Sequence, residues 1–221
     1  PWYIYLYTGD DSIIKENYEP MKRYVDFLTR EKSNNGIVSW GLGDWCPAKT
    51  RTPSEITSTA YYFIDAQLIQ KFAQIVGNPN DAKKYADLAT SIRSAFIAKF
   101  VDSITGAVGN DSQTALGCAL YQGLAPDALV ETIVDKLAEN VKANGNKLDY
   151  GILGSKYVPN ALADFGYRDL VYAMLNHTDF PGYGFWIEQG ATTLWENWEG
   201  GGSLNHVMFG DVSAWFYKHL G

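Results

Sequence analysis

The chain has 221 residues, 46% apolar and 19% charged, with 18 Lys plus Arg against 25 Asp plus Glu and a net charge of −7. That length suits one domain or two small ones, and the apolar share argues against disorder. The acidic balance opposes nucleic acid as the main ligand, and no apolar run approaches the roughly 20 residues that span a bilayer. In chain order, Trp2 to Tyr7 reads either as a short strand by propensity or as the end of a helix. Residues 11–31 follow with Ile14, Tyr18, Met21, Val25 and Leu28 on one helical face, Asp10 or Asp11 as cap, and Pro20 as an expected kink. A loop over 33–54 holds Trp40 and Trp45 among glycines and prolines. Structureless connections of that length are often functional.

Residues 55–76 and 80–100 read as two helices joined by Gly77 and Asn78-Pro79, a link short enough for an antiparallel hairpin. Helices are predicted over 111–123, capped by Asp111, and over 126–143, opened by Pro126. A Gly-rich loop then leads to helices over 156–165 and 168–176, an aromatic loop over 179–190, a helix over 191–198, a glycine turn and a last helix over 206–220. Eight or nine helices, joined alternately by tight turns and long aromatic loops, fit stacked hairpins of the α/α toroid kind, and no fixed-period repeat supports a solenoid.

Three loops share an aromatic ring, Gly and carboxylate: residues 40–45, 149–151 and 183–199, the second with Tyr150 in place of Trp. Trp40, Trp45, Trp186, Trp195 and Trp198 lie in the first and third of them. A ring beside a carboxylate is how proteins hold sugars, because the ring covers the C–H face and the carboxylate accepts hydroxyl protons. The plain alternative is core tryptophan with helix-capping aspartate. Glycoside hydrolysis needs two carboxyl groups, and the candidates are Asp44, Glu55, Asp111, Asp149, Glu188, Glu196, Glu199 and Asp211. Glu196, between Trp195 and Trp198, is expected to be desolvated with a raised pKa, or else to be a buried ion-pair partner. His206 is a candidate for binding a sugar hydroxyl or orienting a carboxylate, or is an ordinary helix-start histidine. His177 and His219 read as surface or helix-end residues. The scattered histidines and the two cysteines, Cys46 and Cys118, suggest neither a metal site nor a disulfide framework. Phosphate-loop, dinucleotide and serine-elbow motifs do not appear.

Residues Ile187 to Trp198, containing Gly-Ala-Thr-Thr-Leu-Trp-Glu, and Ser203 to Gly210, Ser-Leu-Asn-His-Val-Met-Phe-Gly, closely resemble the catalytic domain of bacterial α-L-rhamnosidases of glycoside hydrolase family 78. Gly43-Asp44-Trp45, Ser112-Gln113-Thr114-Ala115 and Gly151 to Ser155 agree with it. The resemblance covers essentially the whole chain. It implies an all-α (α/α)6 toroid and an inverting hydrolase that releases terminal α-L-rhamnose from glycosides or polysaccharides, with no organic cofactor. It assigns the general base to Glu196, a sugar contact to His206 and the pocket wall to Trp45. Asp44 enters as an orienting group and Trp195 as further wall, while Glu188 ranks below Glu196.

The family's general acid sits in a block like Asp-Glu-Arg-x-Gly-Trp, and no equivalent occurs here. A full toroid has twelve helices. The expectation is therefore that residues 1–221 form a partial catalytic domain lacking upstream helices and the acid, with apolar helix faces left bare for self-association. The opening at Pro1 without Met does not look like a natural start, so export stays undecided. Two other readings remain open at this level: a carbohydrate-binding helical domain without turnover, and another toroid enzyme such as a polysaccharide lyase.

Overall fold

The computed structural model describes residues 1–220. They form two compact units, residues 1–41 with 58–99, and residues 42–57 with the chain from 100 onward. In the first unit, Trp2 to Tyr7 is helical rather than extended. Helix α1 (Trp2–Thr8) ends at Gly9, which has φ 74°. Tyr3, Ile4, Leu6 and Tyr7 are left exposed. Helix α2 (Ser12–Phe27) starts where Asp10 Oδ1 accepts the Ser12 N–H at 2.9 Å, and it buries Ile14, Tyr18 and Val25. Pro20 is accommodated inside α2, and the chain leaves the helix through a π turn over Leu28–Lys32.

The long loop expected over 33–54 begins as a small hairpin, β1 (Ser33–Asn34) against β2 (Ile37–Val38). Asn35 and Gly36 both have positive φ, as a two-residue primed turn requires. Helices α3 (Ser54–Ile75) and α4 (Pro79–Phe100) make the predicted hairpin. Asn78 Oδ1 accepts the Asp81 N–H at 3.0 Å while its own amide donates to the Asp81 carboxylate at 2.9 Å, a reciprocal cap for α4. The Tyr18 hydroxyl donates to Asp81 and the Tyr85 hydroxyl to Asp26, each at 2.8 Å, which ties α2 to α4.

The second unit is built around α5 (Gln113–Tyr121), whose residues 113–120 are all buried, packed against α6 (Val130–Ala143) and α7 (Gly154–Asp164). Its cap is Ser112, whose hydroxyl accepts the Ala115 N–H at 3.1 Å, and not the expected Asp111. Asp111 sits at φ 54° and instead accepts the Val108 N–H. Helix α8 (Arg168–Leu175) follows the sequence reading.

Two neighbouring expectations fail together. The aromatic stretch expected as a loop contains α9 (Tyr183–Glu188), and residues 191–198, expected as a helix, are irregular. The Glu196 N–H donates to Ser203 O at 2.9 Å and the His206 N–H to Leu194 O at 2.7 Å. The backbone there is satisfied across a loop instead of along a helix, and the β-branched pair Thr192-Thr193 does not resist that. The last helix, α10 (Asp211–Leu220), begins later than the expected 206, after a 3-10 turn over Val207–Phe209.

Candidate active site

The core beneath the site is aromatic. Trp186 and Trp198 are each 1% exposed and stack with ring centroids 4.6 Å apart at 19°. Phe209 packs on Trp198 at 4.6 Å and Tyr183 stands edge-on to it at 5.4 Å. Both indole nitrogens are used internally: Trp186 Nε1 donates to Trp198 O and Trp198 Nε1 to Tyr150 O, each at 2.9 Å. These two tryptophans of the third loop therefore follow the plain alternative and are core. The second of those bonds fixes the Glu196 loop to the segment at 150.

Trp45 is on the same segment. Its carbonyl accepts the Ile152 N–H at 2.9 Å. A methyl group at Gly151 would overlap that carbonyl oxygen, so only glycine lets the two backbones lie this close. The Trp45 side chain is 48% exposed, and its Nε1 donates to Glu196 Oε1 at 3.4 Å. Glu196 Oε2 accepts the Ser203 N–H at 3.0 Å. At Gly202, φ 73°, a β-carbon would sit 2.6 Å from Glu196 Oε2. The absence of that atom is what leaves room for the carboxylate.

Glu196 is half-buried, and its pKa lies below the ordinary glutamate value. The Ser203 N–H is the main cause, followed by the Trp45 N–H, with His206 adding a favourable charge. This reverses the expectation of a raised value: burial still pushes the pKa up, but the two N–H donors outweigh it, since Trp198 turns into the core and Trp45 brings an N–H. Trp195 is half-buried, with its ring lying against the backbone of Gly200 and 6.1 Å from Trp186. His206 is half-buried and its Nδ1 is buried without a hydrogen-bond partner.

Asp44, expected beside the sugar as an orienting group, is 6% exposed and fully occupied by its own chain. It accepts from the Thr114 hydroxyl at 2.5 Å and from the N–H groups of Gly151, Leu153 and Gly154 at 2.7, 2.8 and 3.0 Å. Burial pushes its pKa up, and those four hydrogen bonds oppose the rise. Its place is under the site, holding Trp45 and the start of α7. Asp149 is likewise engaged, by the N–H groups of Lys49 and Thr50 and by the Thr50 hydroxyl. Glu188 and Glu199 are exposed. Asp111 pairs with Lys136, and Asp211 with Lys156. Trp40 belongs to the first unit, where it packs edge-on against Phe27. The sequence reading missed Thr114 as an acceptor's partner, although the Ser-Gln-Thr-Ala block that carries it had been singled out.

Helical hairpins carrying an aromatic loop with one donor-fixed glutamate make this a helical-hairpin domain, of the class found in glycosidases by its family match. The chain belongs to the bacterial α-L-rhamnosidase six-hairpin glycosidase domain family, whose profile matches residues 1–220. It is 33% identical to an α-L-rhamnosidase of Streptomyces avermitilis and 34% identical to one of Formosa agariphila, in each case over the whole chain. The crystal structure of the Streptomyces avermitilis α-L-rhamnosidase complexed with L-rhamnose superposes on 98% of the chain with a TM-score of 0.91. The α-L-rhamnosidase from Dictyoglumus thermophilum does so with a TM-score of 0.90 at 38% identity. The all-α toroid expectation agrees with these neighbours, and a lyase assignment loses its ground. The chain spans only 22% and 25% of the length of the two sequence relatives.

Proposed function

We propose that the chain is the base-bearing part of an inverting α-L-rhamnosidase acting on rhamnose-containing glycosides or polysaccharides. Glu196 is the general base that takes a proton from the attacking water. Trp45 covers the apolar face of the rhamnose ring, His206 bonds a sugar hydroxyl, and Trp195 forms further wall. Asp44 acts through Trp45 and does not itself touch the sugar. The observation that carries the reading is the state of Glu196: a solvent-reachable carboxylate kept ionised by two N–H donors beside a half-exposed indole. Inversion requires an acid about 6.5–9.5 Å across the sugar from the base. The oxygens of Asp44 and Asp149 are taken by their own chain, so we assign the acid to a group outside these 221 residues.

The test is hydrolysis of an aryl α-L-rhamnoside, followed by proton NMR so that the first anomer released is seen. Glu196→Gln should lower turnover by about 10²–10⁴-fold while rhamnose binding persists, with β-rhamnose appearing first in the wild type. Equal turnover in wild type and Glu196→Gln sinks the assignment. Rhamnose binding with turnover in neither, even of a dinitrophenyl rhamnoside whose leaving group needs no acid, leaves a sugar-binding domain.

A further inference from the structure

Both halves of the Trp45–Glu196 contact are mounted on one five-residue segment, 150–154. Trp45 is held there by its carbonyl on the Ile152 N–H. The Glu196 loop is held there by the Trp198 indole on Tyr150 O. The segment itself is gathered by a single carboxylate, Asp44, through three backbone N–H groups. The fourth bond to that carboxylate comes from α5, where the Thr114 hydroxyl donates at 2.5 Å. Thr114 is wholly buried in the most enclosed helix of the unit. It thus ties two loops to a buried helix, α5.

We infer that Thr114 is a positioning residue: by anchoring Asp44 to α5 it fixes segment 150–154, and so sets the distance between the Trp45 indole nitrogen and the Glu196 carboxylate. The function proposed above gives this its purpose, but the geometric claim stands without it. Removing the hydroxyl leaves the Asp44 oxygen short of a donor in a buried place, so the carboxylate must turn or admit water. Turning releases its hold on the Gly151 N–H, which shares that oxygen, and a water, unlike the Thr114 hydroxyl, does not tie the carboxylate to α5. Trp45 then drifts from Glu196. The consequence is a carboxylate with one donor fewer, which titrates at higher pH.

The experiment reads the pair directly and does not depend on turnover. Tryptophan is replaced biosynthetically by 5-fluorotryptophan, and the fluorine resonance missing from Trp45→Phe is assigned to Trp45. Its pH titration, absent in Glu196→Gln, reports the carboxylate. In Thr114→Val the midpoint should move up, and in Thr114→Ser, which restores a hydroxyl, it should return to the wild-type value. Gly151→Ala attacks the same mount from the other side and should move the midpoint in the same direction, which keeps the claim testable if Thr114→Val fails to fold. A folded Thr114→Val that titrates like the wild type overturns the inference, as does a Thr114→Ser that titrates like Thr114→Val. Where turnover is measurable, the acid limb of kcat/KM should move with the fluorine midpoint. Absence of turnover leaves the fluorine result to decide this inference, because the fluorine readout needs no general acid.

Discussion

Asp44 has four donors about a carboxylate that is 6% exposed, and that decides what the residue does. Deleting it leaves three backbone N–H groups and a hydroxyl without partners in a dry place, each unmade bond costing about 1–3 kcal/mol. Asp44→Ala should therefore destabilise the chain by about 3–5 kcal/mol, read as a lower denaturation midpoint, whereas a residue that served only to touch sugar would cost little. Asp65 is the opposite case. It lies on α3 in a concavity of about 310 Å³ lined by Met21, Tyr24, Leu68, Ile69 and Phe72, with no cation or hydrogen bond at its carboxylate among the described residues, and burial pushes its pKa up to about 6 from 3.8. A carboxyl raised in the folded state binds a proton there that the unfolded chain has released, so stability is lost as pH rises from about 4 to about 6. The concavity opens to solvent, so the loss should be only about 1–2 kcal/mol. Comparing denaturant midpoints at about pH 4 and pH 7, the wild type should lose this increment and Asp65→Asn should not.

At the scale of elements, caps and turns decide where helices begin. Ser112 supplies the only side-chain cap bond described for α5, so Ser112→Ala should cost about 1 kcal/mol, and more if the hydroxyl it shares with Thr52 at 2.7 Å is left alone. Urea denaturation of the variant beside the wild type checks it, and an unchanged midpoint would mean that a water replaces the cap. The elements legible in the sequence were those whose signals are local. Gly77 with Asn78-Pro79 marked the α3–α4 turn, and Ile133, Leu137 and Val141 marked the inner face of α6. Residues 191–198 misled because their partners, Ser203 and His206, lie beyond a turn, and no periodicity records a cross-loop bond. In the same stretch Trp186 and Trp198 read like a sugar platform, but their stacking turns them into the floor of the site. Glu196, Trp45 and His206 were singled out through family blocks, and the proposed function rests on them. The burial of Asp44 and the depressed Glu196 were not legible, since both depend on donors more than five residues away in sequence.

At the scale of the molecule, the proposed base, Glu196, and the acid proposed to lie outside these residues together predict how the chain treats different leaving groups. The chain spans about a quarter of the relatives' length, and of the other candidate carboxylates Asp44 and Asp149 are engaged by their own chain while Glu188 and Glu199 are exposed. If the acid lies elsewhere, this chain must expel the leaving group unprotonated. The barrier then rises with leaving-group basicity, because the missing proton transfer is worth about 10²–10⁴-fold for a basic alkoxide and little for an acidic phenol. Dinitrophenyl α-L-rhamnoside should therefore be cleaved by the isolated chain, whereas a methoxyphenyl rhamnoside should be cleaved about 10²–10⁴-fold more slowly relative to it than by a full-length relative such as the Streptomyces avermitilis enzyme. Glu196→Gln should lower both rates, because water must still be activated. A chain that treats the two leaving groups as the full-length relative does would hold its own acid within these residues. Asp149 would then be the first carboxyl to test, since unlike Asp44 it is only half-buried and is held only by the Lys49 and Thr50 N–H groups and the Thr50 hydroxyl.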